Sequence, residues 1–539
     1  MLQSAEPSAV NAEPSAVNRE VSYASRPAES AGHRFSSMPV CGDWRSRFFA
    51  PVDNASLCIF RIGFGLMMTA WAGEYLFSGR VGYLYVQPKF HFTYYLFDWV
   101  RPWPGVGMHL HFVALLALTL CIAVGLRYRM ASTLFAMGFT YFFLLERTNY
   151  QNHYYLLMIV SWVMTLLPAH RSFSLDARRC PDIRSSTAPA WTLWLLRFHI
   201  ALPYFFGGVA KLDADWLAGE PMRQYLAAHA RWPVIGPLFH EQSTVTFFVW
   251  GGLFFDLTIV PLLLWNRSRG VAYALCVFFH VMNSLLFSIH VFPWFMIFAT
   301  TIFFEPDWPR RCLRWLREPV AGAPQPGSEP APSAVAASAN STSPVDVSWS
   351  LLSRRAKFGV VTLAVYCLFH LVWPFRHHLY PGNTSWTERG HLFSWRMMLR
   401  GKTTGVRYYI TDPETSQTWH PNLRPILNMD QVGKFARDPE MILDLARFLA
   451  KDHRRRTGRD VEVRALVLTS LNGRKPELLI DPAVDLAKEP RGFHFKTWIR
   501  PQTEPLRSKP WSVPLIEWER HVELPPLPFT PNRSDRSHT

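Results

Sequence analysis

Long apolar runs constrain this chain more than any other feature. ASLCIFRIGFGLMMTAWAGEYL (55–76) carries two charges in 22 residues. A helix of roughly 17–25 apolar residues spans a bilayer core, where the backbone has no water and must bond to itself. Nine spans are predicted, at about 55–76, 107–126, 130–146, 152–168, 191–210, 244–265, 270–287, 290–304 and 356–374. Pro293 interrupts the eighth, which reads as a half-helix or re-entrant piece. The expected fold class is therefore an α-helical polytopic membrane protein with about nine transmembrane helices.

Charge placement orients those helices. The net charge of +16 suits a nucleic-acid partner at first sight, but most of the arginines flank the apolar segments. With the N-terminus cytoplasmic, inner loops hold Arg127, Arg129, Arg171, Arg178, Arg179, Arg184, Arg267 and Arg269. The last inner loop adds Arg310, Arg311, Arg314, Arg317, Arg354, Arg355 and Lys357. The outer loops are poorer in basic residues, as the positive-inside rule requires. The basic excess is thus topological, no nucleic acid is expected, and an odd number of spans leaves the C-terminal part outside.

The divisions follow. Residues 1–43 include a tandem heptad, AEPSAVN AEPSAVN (Ala5–Asn18), whose composition builds no core. They form an expected disordered tail, with no cleavable signal before the first span. A helical domain of about eight spans covers 44–318. A Pro/Ala/Ser-rich cytoplasmic linker follows at 319–349, then a last transmembrane helix at 350–375. Residues 376–539 are the expected extracytoplasmic, β-rich domain. In it VRYYI (406–410) and VEVRALVLTSL (461–471) alternate as strands do, and Asp438 stands where it could cap a helix. None of the seven cysteines lies in that domain and none forms a CxxC pair, so a metal site is not expected.

Charges inside the spans are costly and usually face the bundle interior or a wet cavity. Arg61, Arg197 and Asp256 read as structural charges, with an arginine paired to Asp256 across helices. Lys211 ends the fifth span, in GGVAKLDADW (207–216), with Asp215 one turn on. It is either a snorkelling lysine paired with Asp215, or an amine dried by Tyr204, Phe205, Phe206 and Trp216 and available as a base. His153 opens the fourth span, and His280, Asn283 and Ser284 share one face of the seventh. All lie in the outer half, where a cavity lined by amine, imidazole and amide is plausible.

Four blocks carry a resemblance: RTNYQNHYYL (147–156), KLDADW (211–216), FHVMNSLLFSIHVF (279–292) and SWTERGHLFSWRMM (385–398). In this order they resemble the vitamin K-dependent γ-glutamyl carboxylases, which contain the horizontally transferred transmembrane domain. The resemblance implies a carboxy-lyase that couples oxygenation of a reduced naphthoquinone, phylloquinol or menaquinol, with O2 and CO2 to γ-carboxylation of protein glutamate. It implies Lys211 as the base toward the quinol and His153 as the second catalytic residue. Tyr150, Asn152, His280, Asn283 and Ser284 would bind quinone or substrate, and Trp386, Trp395, Met397 and Met398 the glutamyl side.

The implied partners are the bilayer, a glutamyl-containing peptide and a quinone-epoxide reductase; the implied location is a bacterial inner membrane. One departure is Arg396, where the animal enzymes carry an acidic residue. It keeps open a quinol epoxidase or oxidoreductase without peptide carboxylation. A transporter using the intramembrane charges is the remaining alternative.

Overall fold

A computed structural model describes residues 44–287, 289–317 and 353–526. The predicted tail at 1–43 and the linker at 319–349 lie outside those residues. From Arg45 onward the described chain forms one compact unit.

Six helices are long and apolar enough to cross a membrane: Ala55–Phe77, Gly107–Val124, Ala190–Ala210, Gln242–Leu264, Arg269–Leu286 and Arg354–Leu379. The predicted segments at 130–146 and 152–168 are helices of 17 and 15 residues, Tyr128–Leu144 and Asn152–Leu166. The eighth is shorter still. It forms an α-helix at Phe292–Ala299, with Pro293 in its first turn, and a 3-10 stretch at Thr300–Phe303. Proline suits a helix start, where its missing N–H has no partner to lose.

The helical core is aromatic. Trp71 meets Phe112, Phe139 and Phe142 with ring centroids 4.9–5.7 Å apart, in the tilted and edge-on arrangements that aromatic quadrupoles favour. Arg61 is fully buried, yet it pairs with no carboxylate among the described residues. Its guanidinium donates to the carbonyls of Ala169, Ile122, Ala123 and Phe173. Gly125 makes room by ending the Gly107–Val124 helix at φ +68°, where a Cβ would come within 2.8 Å of Arg61 Nη1. Arg197 likewise donates to the carbonyls of Ile302 and Phe304. The expected pairing of either arginine with Asp256 is therefore corrected: both donate instead to backbone carbonyls at helix ends and in the loops beside them.

A small antiparallel pair, β1 (Pro51–Asp53) with β2 (Thr187–Pro189), joins the start of the first long helix to that of the Ala190–Ala210 helix. The C-terminal part holds a four-stranded antiparallel sheet of β3 (Lys402–Thr411), β4 (Thr418–Trp419), β5 (Glu462–Leu471) and β6 (Glu477–Leu478), in the order β4-β3-β5-β6. Its long pair runs in register from Lys402 against Leu471 to Thr411 against Glu462. Helix Pro439–Thr457 packs on that sheet; Asp438 accepts from Glu440 N at its start, and Gly458 ends it at φ +75°. Both strands and the capped helix stand where alternation and spacing put them.

Buried polar contacts seat the sheet domain on the helices. Arg147 donates to Asp444 at 3.2 Å, and Gln431 donates to Glu146 at 2.8 Å and to the Phe90 carbonyl at 2.9 Å. Tyr150 Oη accepts from Phe393 N at 2.6 Å.

Replacing Arg61 with Ala takes the side-chain donor from four carbonyls, of which only that of Ile122 keeps a backbone bond, from Gly125 N. Because each unmade buried bond costs about 1–3 kcal/mol, Arg61→Ala is expected to lower the melting temperature in detergent sharply, and Arg61→Lys to recover only part of the loss.

Candidate active site

Lys211 is the C-cap of the Ala190–Ala210 helix and is only 5% exposed. Its Nζ contacts Asp256 Oδ2, donates to the Gly207 carbonyl at 3.3 Å, and lies 5.2 Å from the centre of the Trp216 ring. Trp216 is held over it by a bond from its indole nitrogen to the Val249 carbonyl at 3.1 Å.

Three glycines make this possible. A Cβ on Gly207 would meet Asp256 Oδ2 at 3.0 Å and Met397 Cε at 3.1 Å, and one on Gly208 would meet Leu257 at 2.6 Å. Gly252 faces Lys211 Cε and Trp216. Small residues let membrane helices approach closely, and here the close approach lets a carboxylate from the neighbouring helix reach the lysine.

Asp215 is not the partner of Lys211. It turns to the sheet domain, where Arg474 binds it with two bonds of 2.6 and 2.7 Å and Asn472 with one of 2.8 Å. Burial pushes its carboxyl up, and those donors outweigh burial to hold it below the usual carboxylate range. Asp256, read from sequence as a structural charge alongside Arg61 and Arg197, is instead the immediate neighbour of the candidate base.

One cavity of about 730 Å3 brings most of the predicted residues together. Lys211, His153, Tyr150, Asn152, His280, Asn283, Met397 and Met398 all line it, with Asp256, Tyr204, Phe292 and Trp216. Its walls are mainly aromatic, so the few polar groups stand out. His153 Nε2 and His280 Nδ1 are buried with no hydrogen-bond partner among the described residues. The His153 ring stacks on Phe292 at 5.3 Å, and His280 meets the same ring edge-on at 6.3 Å. Tyr204 Oη lies 2.7 Å from His280 Nε2; donation to that nitrogen leaves the proton on Nδ1. Asn152 accepts from Tyr150 Oη at 3.0 Å.

Three predicted residues are not on this wall. Ser284 donates to the Val281 carbonyl of its own helix. Trp386 is buried in the sheet-domain core with its indole bonded to the Arg500 carbonyl, and Trp395 packs against Tyr155 at 5.0 Å in the helical core. Rings of that size, fully buried, serve as packing here. Sequence reasoning passed over His391, Arg400 and Arg437, which line the cavity from the sheet-domain side. Single residues in a loop show no periodicity by which to find them. Among the described residues, no group of three or more His, Cys, Asp or Glu is placed to hold a metal ion.

Two families match, in chain order. The HTTM domain matches residues 49–308, and the lumenal domain of vitamin K-dependent gamma-carboxylase matches residues 355–505. The chain belongs to the γ-glutamyl carboxylase family. It is thus a membrane protein of carboxylase type, and the two matched domains share the cavity: the HTTM part supplies Lys211, Asp256, His153 and His280, and the lumenal part His391, Arg396, Met397 and Met398. No solved structure matches the chain.

Removing one member of a buried ion pair leaves the other uncompensated, at about 3–5 kcal/mol. Asp256→Ala should therefore lower the melting temperature more than the double variant Lys211→Met with Asp256→Leu, which removes both charges and keeps the volume.

A second expectation concerns pH. Burial, reinforced by Arg396, pushes the His391 imidazole down from 6.5 to about 3. The unfolded chain binds a proton below about 6.5 that the folded chain refuses, so this stability is present above that pH and fades as pH falls toward 3. Melting at pH 5 should show a loss of about 2 kcal/mol relative to pH 7, and His391→Gln should flatten that part of the slope.

Proposed function

We propose that the chain couples oxygenation of a reduced naphthoquinone to carboxylation of glutamyl side chains in an exported peptide, with O2 and CO2 as co-substrates. The observation that carries this reading is a lysine paired with Asp256 in a mainly aromatic cavity whose wall also holds two imidazoles, each with one nitrogen unbonded among the described residues.

The residues fit a naphthoquinol. The cavity volume lies in the range of small-molecule sites, and apolar walls with few convergent polar groups are their usual make-up. Phe292, between the two imidazoles, suits a flat aromatic ligand, and His153 Nε2 and His280 Nδ1 have hydrogen-bonding capacity for its oxygens. Phe247, Phe254, Leu275 and Phe278 line the cavity and are also exposed, which favours entry from the lipid.

When bound and oxidised by O2, the quinol supplies the strong base that a weakly acidic glutamyl γ-proton demands, and departs as its epoxide. Everything else is the protein's work. Lys211 Nζ takes the hydroxyl proton of the bound quinol. To be free for that task it first passes its own proton to Asp256 Oδ2, a step that turns two buried charges into two neutral groups and so escapes the desolvation that penalises the ion pair. His153 and His280 orient the ring and donate to oxygens that gain charge. Trp216 and the aromatic walls keep water from the base.

In this reading the N-terminus is cytoplasmic and the sheet domain, which roofs the cavity, is extracytoplasmic. The peptide approaches from that side and the quinol from the bilayer. A reductase that regenerates the quinol is the implied partner.

The test uses purified full-length protein with reduced vitamin K, O2, a glutamyl peptide and labelled CO2. Label in the peptide with matching epoxide is expected. Lys211→Ala should lower both by roughly 10²–10⁴-fold, the range of a general base. Intact protein that forms epoxide without fixing label would reduce the reading to a quinol epoxidase.

A further inference from the structure

We infer that Arg396 is the residue that selects an anionic side chain in the cavity, and that it does so by exchanging Asp213 for the substrate carboxylate. This deepens the carboxylase reading and rests on it for the identity of the peptide.

The charge on the cavity wall is unbalanced. Besides Lys211, it carries Arg396, Arg400 and Arg437, while Asp256 is the only acid among the described residues that line it. Asp256 is already committed to Lys211. Of the three arginines, Arg400 is turned against Glu388, and Arg437 is exposed with no ion pair among the described residues. Arg396 differs from both. Its side chain is 8% exposed, and among the described residues its Nε is buried without a hydrogen-bond partner and its one ion pair is a single bond from Nη2 to Asp213 Oδ2 at 3.3 Å.

A guanidinium has five donors, and a carboxylate that binds it well takes two of them at about 2.7–2.9 Å. Asp213 does neither. It is a long, single-point partner with a quarter of its side chain in solvent, and its other oxygen accepts from Asp215 N at 3.1 Å to cap the turn that follows Lys211. A buried cation so loosely held is ready for a better ligand. Its neighbour Met397 reaches within 3.1 Å of where a Gly207 Cβ would stand, one turn before Lys211, so a carboxylate on Arg396 sits in the same chamber as the base. The segment 394–398 thereby gives this chain a cationic contact for acidic side chains where the resemblance led one to expect an acidic one.

The exchange makes Arg396 and Asp213 opponents, which a merely structural pair would not be. A fluorescein-labelled peptide with one Glu and uncharged neighbours, and its Gln twin, are titrated by fluorescence anisotropy against full-length protein in nanodiscs. Arg396→Gln is expected to weaken the Glu peptide about tenfold or more and to erase the preference for Glu over Gln. Arg396→Lys should keep part of that preference. Asp213→Asn should tighten the Glu peptide, because Asn still caps the turn but no longer competes for the guanidinium. The inference is overturned if Arg396→Gln leaves the Glu preference intact, or if both variants weaken the peptide alike. Wild-type protein that shows the Glu preference yet forms no epoxide from reduced vitamin K would remove the carboxylase reading while leaving Arg396 in place as an anion-selecting residue.

Discussion

A lysine and an aspartate inside a bilayer must meet closely or be driven apart. Each charge loses several kcal/mol of hydration on burial, and only short-range attraction with good hydrogen bonding restores it. The Lys211–Asp256 contact sets this condition for the rest of the site. It forces the Ala190–Ala210 and Gln242–Leu264 helices together at their glycines, since a single Cβ at Gly207 or Gly208 would press on Asp256 or Leu257. It places Lys211 at a helix C-cap, where the Gly207 carbonyl adds a second acceptor for its ammonium. And it fixes the spot that Trp216 then closes over.

The sheet domain completes what the helices begin. By taking Asp215 with Arg474 and Asn472, it removes the carboxylate four residues on from Lys211 and leaves Asp256 as the lysine's acid. It also brings a roof of its own: His391, Arg396, Met397 and Met398 enter the cavity from one loop, anchored where Phe393 N donates to Tyr150 Oη. Tyr150 in turn donates to Asn152, at the start of the helix that carries His153. One chain of hydrogen bonds therefore runs from the roof to the imidazole's helix, and the two matched domains are parts of a single chamber.

What could be read from the sequence was what period and composition record. The strands at β3 and β5 and the Asp438-capped helix declare themselves through alternation and capping, and the six long helices through length and apolarity. Convergence of Lys211, His153 and His280 was legible because helix direction places residues at the same end of a bundle even when their neighbours are unknown. Which charges would touch was not legible. Asp215 lies at the favourable i+4 spacing from Lys211, yet spacing along a helix has no force once the helix ends, and the chain turns at Leu212 and Asp213. Arg61 looked like a partner for Asp256 because both are intramembrane charges. A guanidinium with five donors is satisfied as well by carbonyls at a helix end and in a neighbouring loop, and their convergence is a tertiary feature. Trp386 and Trp395 fell in a segment implied to bind substrate, but volume decided their place: both rings are filling cores.

The pairing of Lys211 bears on how a membrane enzyme can keep a base at all. An amine left alone in hydrocarbon would be neutral but unanchored, free to swing away from its substrate. An amine locked to a carboxylate is anchored but occupied. Proton transfer within the pair resolves the conflict on the proposed reading, because both forms keep the same hydrogen-bonded geometry while only one carries charge.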